Sequence, residues 1–374
     1  MTNFLFVLGR DPDLSFIEIR SYFLTHKIPY NLLSKNNLVL VIDSDFDARN
    51  LINILGGTIK IAKQIDLRNE GFGLFKFKNV YYSFTNYDGE GSEEIFDFLK
   101  QKFKHERMKL LFVNPGNGTY GIDPSKFYKK KMFENGFEIF KFKGIVYKTV
   151  AVSDTLGIEK RDIGRPFQEP LEAISIRLAK ILINLAGVKK NETILDPFMG
   201  IGTIMQEAML MGINSIGLDK EGRRVSHAKK NLAWFKKSYG RHAFFRCIEG
   251  DSLFLQGQVK EKIDGVATEP YLGPLIKRLP TKGEAEKIVK KLEELYAGIL
   301  KEIYKVLKKE GNVSIITPMF KTNEGKIVKM NLLGIIKGLF SVVQFQGLSL
   351  PIIYNSGKSR ILREIWVLKK KEHP

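Results

Sequence analysis

Residues 171–374 are predicted to form an α/β domain with a Rossmann-like parallel sheet, preceded by two smaller α+β units. Three observations predict it. From Thr193 onwards, short apolar runs alternate with segments of helical apolar spacing: TILD, IMQEAMLMG, SIGLD, RRVSHAKKNLAWF, AFFRCIEG and GVATE. The first run ends in Asp196 and breaks into a loop that carries Gly200 and Gly202. The next two runs lead to further acids, Asp219 and Asp251. Strand, glycine loop, helix and a strand with a terminal acid make up the ligand-binding half of an open parallel sheet. Ligands settle at the carboxyl ends of such strands.

In chain order, NFLFVLG reads as a strand and Asp11-Pro12-Asp13-Leu14-Ser15 as the cap of a helix through FIEIRSYF. Ser34 to Asn37 supplies a turn before the strand NNLVLVID. The helix DFDARNLINILGG stops at Gly56 and Gly57, which closes a unit over 1–66. A second unit, 67–152, holds the strand NVYYSFTNY, an amphipathic helix capped by Ser92, and the strands LLFVN and GIVYKTVAV. Between these strands runs FYKKKMFENGFEIFKFK, where cations and aromatics interleave. Lys129, Lys130 and Lys131 are either a solvated turn or an RNA-binding surface, on which lysines meet phosphates and aromatic faces stack on bases.

Residues 153–170 form a linker. ISIRLAKILINLAG is then an amphipathic helix stopped by Gly187, placed where it can cover a ligand pocket. After GVATE come a loop, a long charged helix from Gly283 to Leu307, the strand GNVSIITP and an expected helix KIVKMNLLGIIKGLF. FSVVQFQGLSL and RILREIWVL close the sheet as an antiparallel pair and bring it to seven strands. Gly257 to Asp264 reads as a loop.

The 374 residues imply two or three domains. With 60 Lys+Arg against 41 Asp+Glu the formal charge is +19, which points to a polyanionic partner, nucleic acid ahead of an anionic membrane surface. No apolar run reaches membrane-spanning length, and Met1 to Arg10 lacks the pattern of a signal peptide. The expectation is a soluble, cytoplasmic protein with no membrane partner. The single cysteine, Cys247, excludes a disulfide or a cysteine zinc site and reads as a small buried hydrophobe.

The loop chemistry narrows the ligand. A dinucleotide site wants a third glycine where Met205 stands. Asp196 at a strand end repels phosphate and attracts an ammonium or sulfonium. S-adenosylmethionine carries both charges. Asp219 is placed to accept two ribose hydroxyls and Asp251 to take the adenine amino group, with Phe198, Gly200, Gly202 and Thr203 completing the candidate cofactor set. Taken singly, GIGT is a tight turn and Asp219 a helix cap; three acids at successive strand ends are far more specific.

The strand after Asp251 ends in Thr268-Glu269-Pro270-Tyr271, which faces the methyl group in this reading. Many amino-group methyltransferases carry Asp or Asn, Pro, Pro, then Tyr or Phe here. An exocyclic base amine is a poor nucleophile. Acidic and backbone oxygens accept its hydrogens and orient the lone pair, a proline fixes the turn, and an aromatic ring stacks on the rotated base. Here EPY stands for DPPY. If Glu269 replaces the acid, the aromatic comes one position early; if Tyr271 keeps its register, Thr268 falls at the acid position. Glu269 is favoured as acceptor, Pro270 as the rigid turn and Tyr271 as the stacking platform. Methyl transfer from a sulfonium has no water to activate, so no metal is expected.

On these residues the chain resembles the archaeal and eukaryotic family of THUMP-domain tRNA guanosine-10 N2-methyltransferases. FLFVLGRDPDLSFIEIRSYF is similar to that family's N-terminal ferredoxin-like domain, and residues from about 70 to 150 to a THUMP domain. YGIDPSKFYKKKMFENGFEIF, YKTVAVSDTLGIEKRDIGRPFQEP and ISIRLAKILINLAG resemble the THUMP end, the linker and the helix before the catalytic domain. Two departures are EPY itself and Leu171-Glu172-Ala173-Ile174-Ser175, which replaces a proline-rich helix start.

The resemblance implies a class I methyltransferase domain over 171–374 and tRNA as substrate, with the THUMP unit reading the acceptor 3′ end. The expected product is N2-methylguanosine or N2,N2-dimethylguanosine at position 10. Guanosine 6 is the rival within the class, and a DNA amino-methyltransferase leaves the N-terminal half unexplained. A catalytically silent RNA-binding protein that keeps the fold is the rival outside the class. A eukaryotic-type relative can require an accessory activating subunit, for which the sequence holds no docking signal.

Overall fold

A computed structural model describes residues 2–69, 75, 78–116, 120–169, 173–355 and 360–372. Pro170 of the expected linker, with Leu171 and Glu172 of the altered helix start, lies outside the described residues. The chain divides into two compact units, residues 1–16 with 27–160, and residues 17–26 with 161–374.

The first unit carries β1 (Thr2–Leu8), the start of α1 (Pro12–Thr25), β2 (Tyr30–Lys35), β3 (Val39–Ser44), α2 (Ala48–Ile54) and β4 (Thr58–Gln64). It continues with β5 (Asn79–Asn86), α3 (Glu93–His105), β6 (Lys109–Phe112), α4 (Pro124–Lys129), α5 (Met132–Asn135), β7 (Gly136–Phe142), β8 (Ile145–Val152) and most of α6 (Thr155–Ile163). All eight strands form one sheet in the order β2-β3-β1-β4-β8-β7-β5-β6. The segments read from sequence as 1–66 and 67–152 therefore share a sheet, joined where β4 pairs antiparallel with β8 from Lys60↔Val152 to Gln64↔Tyr147.

Three of these strands escape the pattern reading: β7, which lies inside FYKKKMFENGFEIFKFK, and β2 and β4, for physical reasons. β2 is a sheet-edge strand whose YNLLSK has mostly exposed or half-buried positions. In β4 a lysine stands at a core position. Lys60 is buried, and its Nζ donates to both Glu138 oxygens at 2.7 and 2.9 Å and to the Ile122 carbonyl at 2.5 Å. Glu138 also accepts from the Ile122 amide and the Thr149 hydroxyl, so the buried pair is hydrogen-bonded on every side. Burial pulls the Lys60 pKa down, and Glu138 opposes that shift. Ser92 precedes α3 as expected but makes no capping bond; its hydroxyl accepts from Asn86 Nδ2 instead.

The second unit is the α/β domain. It holds α7 (Ile176–Ala186), β9 (Thr193–Asp196), α8 (Thr203–Leu210), β10 (Asn214–Asp219), α9 (Gly222–Tyr239) and β11 (Phe245–Glu249). A single 3-10 turn leads to α10 (Leu255–Gln258), followed by β12 (Gly265–Thr268), α11 (Lys282–Val306), β13 (Asn312–Lys321), β14 (Ile327–Lys329), α12 (Leu332–Ile336), β15 (Phe340–Val342), β16 (Ile352–Tyr354) and β17 (Ile361–Lys370). The main path runs β11-β10-β9-β12-β13-β17-β15; the first five strands are parallel, and β17 is antiparallel to both neighbours. The chain winds outward from β9 to β11 and returns on the other side of β9 as β12. That reversal opens a crevice at the carboxyl ends of β9 and β12, where open α/β sheets bind ligands.

Helix ends follow local chemistry. The Ser175 hydroxyl accepts from the Leu178 amide to start α7, and Gly187 ends it in the left-handed region at φ 69°. α11 opens on a reciprocal Thr281–Glu284 capping box. It then buries Val289, Leu292, Tyr296, Ile299 and Ile303, one helical stripe, against the sheet. Burying each such side chain contributes about 1.5–3 kcal/mol. KIVKMNLLGIIKGLF is not one helix. Its first residues pair as β14 with β13, and Asn331 accepts from the Gly334 amide to begin the short α12. The expected loop from Gly257 likewise begins inside α10.

Candidate active site

The loop after β9 is shaped by its glycines. Gly200 and Gly202 have φ 51° and 89°, a region that side chains with a Cβ adopt at a cost. A Cβ on Gly200 would meet no atom within 4 Å, so this stretch of backbone borders open space at the strand ends. Gly202 precedes α8 and donates its amide to the Met199 carbonyl, while Thr203 is buried as the first residue of that helix. Phe198 is half-buried and packs against the sheet core.

Asp219 ends β10. Its carboxylate accepts from the Gly200 amide at 3.1 Å and from the Glu221 amide at 2.9 Å, tying the glycine loop to the start of α9. Asp251 follows β11, is exposed, and caps the 3-10 turn by accepting from the Leu253 amide at 2.9 Å. Next to it, Ser252 donates to the Pro197 carbonyl, which fixes this turn to the loop after β9.

Asp196 is buried, and its Oδ1 accepts from the Thr268 hydroxyl at 2.8 Å and the Phe198 amide at 3.1 Å. It therefore pins the end of β9 to the end of β12. Burial pushes its pKa up to about 7. The two hydrogen bonds oppose that rise, and the negative charges of Asp219 and Glu269 add to it. Thr268, the alternative occupant of the acid position, is thus committed to Asp196.

Glu269 is nearly buried, and Arg363 of β17 donates its Nε to Oε1 at 2.5 Å. Burial raises the Glu269 pKa, and the guanidinium pulls it back. Pro270 is buried. Tyr271 is 54% exposed, so its ring is open to stacking. Beneath it the hydroxyl of the fully buried Tyr296 donates to the carbonyls of Tyr271 at 3.4 Å and Ile316 at 3.1 Å, anchoring the turn to α11 and β13.

The structure thus brings Asp196, Asp219, Asp251 and Glu269 to the carboxyl ends of the adjacent strands β9, β10, β11 and β12. Lys129, Lys130 and Lys131 belong to the first unit, at the junction of α4 and α5. Lys129 and Lys131 are exposed, Lys131 at φ 50°, whereas the Lys130 ammonium lies 4.4 Å from the Tyr81 ring centre.

Sequence reasoning missed Arg363 and Tyr296. For Arg363 a signal existed. RILREIWVL places an adjacent Arg and Glu inside an apolar strand, and charges there require partners. Glu364 finds them in the Thr317 hydroxyl and Lys329 Nζ, each at 3.2 Å.

Among known proteins, residues 164–332 match a family described as RMKL-like, methyltransferase domain, and residues 27–230 match a model described as DNA methylase. The chain is 34% identical over 163 residues to a tRNA (guanine(10)-N2)-dimethyltransferase of Methanothermobacter thermautotrophicus, a match over 44% of each chain. It is 32% identical over 160 residues to the protein of that name from Pyrococcus abyssi, a match over 43% of each. These two alignments span less than half of either relative. A "Probable tRNA (guanine(10)-N2)-dimethyltransferase" of Methanothermococcus thermolithotrophicus is 30% identical over 136 residues, which are 36% of this chain and 75% of that one. The crystal structure of TrmN from Thermus thermophilus superposes with a TM-score of 0.52 at 13% identity, covering 99% of this chain and 100% of that one, a likeness of fold. With the RMKL-like methyltransferase match over residues 164–332 and this relative covered over three quarters of its length, the chain belongs to the methyltransferase family of the tRNA (guanine(10)-N2)-dimethyltransferases.

Proposed function

We propose that this protein is an S-adenosylmethionine-dependent tRNA methyltransferase that converts guanosine 10 to its N2-methyl and N2,N2-dimethyl forms. The observation that carries the reading is the row of four acids at the ends of β9 to β12, with Glu269-Pro270-Tyr271 at the end beside the glycine loop. The names of the relatives support the substrate, the position and the second methyl group. The formal charge of +19 suits a polyanion.

The residues fit the cofactor. A Cβ at Gly200 would project into the open space where a ligand backbone can approach, and any cation brought beside Asp196 stabilises its ionised form. Asp196, Phe198, Gly200, Gly202, Thr203, Asp219 and Asp251 would hold it. When bound, it supplies a methyl group on a sulfonium. Glu269 would accept a hydrogen of the guanine amine, held in place by Arg363, and Tyr271 would stack on the base.

In this reading residues 1–66 serve as a ferredoxin-like module and 67–152 as a THUMP-type RNA-binding module, in a cytoplasmic protein. No helix among the described residues is long and apolar enough to cross a membrane. Two observations favour a second reading, a silent RNA-binding protein. Glu269 is already ion-paired, and one proline of the usual motif is missing. Incubation with unmodified tRNA and labelled cofactor, followed by mapping of labelled nucleosides, decides between them. Label at N2 of guanosine 10 is expected. Label at guanosine 6 or no label overturns the proposal.

A further inference from the structure

Residues 161–169 are more than a connection. Arg161 is buried and donates from Nε and Nη2 to Glu207 of α8 at 3.0 and 3.2 Å. Arg165, also buried, donates from Nη1 to the Thr203 hydroxyl at 2.8 Å and from Nη2 to Asp162 at 2.8 Å. Phe167 stacks on His227 of α9 with ring centres 4.0 Å apart and planes 10° from parallel. Asn231, 1% exposed, accepts from the Phe167 amide at 2.9 Å and donates to the Phe167 carbonyl at 3.0 Å and the Ile201 carbonyl at 3.1 Å.

Two of these interactions end on the glycine loop. Ile201 lies between Gly200 and Gly202, and Thr203 follows them. Glycines give this turn its shape and also its freedom, because positive φ is as accessible to them as negative φ. A loop whose backbone a ligand must approach closely binds better when its conformation is already restricted. We infer that Arg165 and Asn231 are positioning residues that couple the segment 161–169 to the Gly200–Thr203 turn and hold it ready for the cofactor. The inference rests on the methyltransferase reading for the identity of the ligand, and on the hydrogen bonds alone for the coupling.

The test uses the full-length protein. In Asn231→Ala and Arg165→Met, S-adenosylmethionine affinity measured by calorimetry is expected to fall by about tenfold or more. Turnover at saturating cofactor and tRNA affinity stay near wild type, so the loss lies in the cofactor KM. Arg165→Lys, which keeps a donor for Thr203, recovers part of the affinity. Unchanged cofactor affinity in folded variants overturns the inference. Hydrogen exchange on the ligand-free protein supplies a second readout. Asn231→Ala is expected to speed exchange at the Gly200, Ile201 and Gly202 amides while the amides of α11 keep their protection; equal rates in variant and wild type overturn the coupling. If the wild type binds no S-adenosylmethionine, the methyltransferase reading fails, and the exchange result still decides the coupling. If Arg165→Met does not fold, Arg165→Lys and Asn231→Ala carry the same two measurements.

Discussion

Arg363 Nε and Glu269 Oε1 lie 2.5 Å apart, both nearly buried, and join the last strand of the domain to the turn proposed to receive the base. Removing one partner of a buried pair strands the other charge, at a cost of about 3–5 kcal/mol. Arg363→Met is therefore expected to lower the unfolding free energy by a few kcal/mol and to abolish most turnover. Glu269→Gln keeps an oxygen for Arg363. It should fold near normally and bind cofactor with near wild-type affinity, yet turn over at least about tenfold more slowly. Denaturant unfolding together with kcat for both variants checks this; equal kcat in wild type and Glu269→Gln rejects Glu269 as the acceptor.

Tyr271 presents its ring to solvent while its carbonyl is tied to Tyr296. A stacking role predicts that Tyr271→Phe keeps most activity and that Tyr271→Ala loses it, because stacking on a base is worth about 1–3 kcal/mol. Stability is expected to change little in either, since the side chain is largely exposed. Single-turnover methylation of tRNA by the two variants makes the comparison, and wild-type rates for Tyr271→Ala would move the base site elsewhere.

Asp219 accepts from the Gly200 and Glu221 amides and is proposed to accept two ribose hydroxyls. Asp219→Ala then removes hydrogen bonds to a charged group worth about 1.5–3 kcal/mol, which lowers cofactor affinity tenfold or more. Calorimetry with S-adenosylmethionine reads the change directly. An unchanged affinity would remove Asp219 from the cofactor set.

Asp196 should make cofactor binding pH-dependent. Its folded pKa of about 7 lies above the ordinary 3.8, so the folded chain holds this proton more tightly than the unfolded chain does. The resulting stabilisation is complete below about pH 4 and is lost as pH rises through about 7. A bound sulfonium favours the ionised form, opposing the burial and the Asp219 and Glu269 charges that keep Asp196 neutral. Affinity is thus expected to climb from pH 6 to 7 and level off above pH 8, with proton release on binding at pH 6. Calorimetry in two buffers of different ionisation enthalpy counts those protons, and Asp196→Asn should show none. Zero release by the wild type at pH 6 would uncouple Asp196 from the ligand.

The strand-end acids were legible because chain order alone puts Asp196, Asp219, Asp251 and Glu269 after four successive apolar runs. What was hidden depended on distant partners. Lys60 disguised β4 because its partner Glu138 lies 78 residues away, and Glu269 depends on Arg363 94 residues away. The limits of the α/β unit were hidden for the same reason. Asn184 of α7 donates to the buried Glu18 at 2.8 Å, and Ser21 donates to the Asn184 carbonyl at 2.8 Å, so residues 17–26 belong with 161–374. A cut near Ile163 would remove both of these hydrogen bonds and also Arg161, leaving Glu207 buried without its guanidinium. The α/β unit therefore draws on chain well before its first strand, which no local pattern around Thr193 reveals.

The lysines of the first unit separate the two readings of FYKKKMFENG. Lys129 and Lys131 are exposed, whereas Lys130 sits over Tyr81. If the segment grips RNA, only the exposed pair is free to meet phosphates, and removing each phosphate-neutralising charge flattens the salt dependence of log affinity by roughly 0.7–0.9. Lys131 occupies the left-handed region, so Asn is the substitution that removes its charge without adding strain. Lys129→Gln combined with Lys131→Asn is therefore expected to weaken tRNA binding and to lower the salt slope by about 1.5, with cofactor affinity unchanged. Lys130→Gln should cost some stability by removing the cation–π interaction with Tyr81, about 0.5–1 kcal/mol, and shift the slope less. Filter-binding titrations of the full chain across a series of salt concentrations measure all three. An unchanged slope in the double variant would make the lysines a solvated turn, and the RNA-binding surface of the first unit would then have to lie on another of its faces.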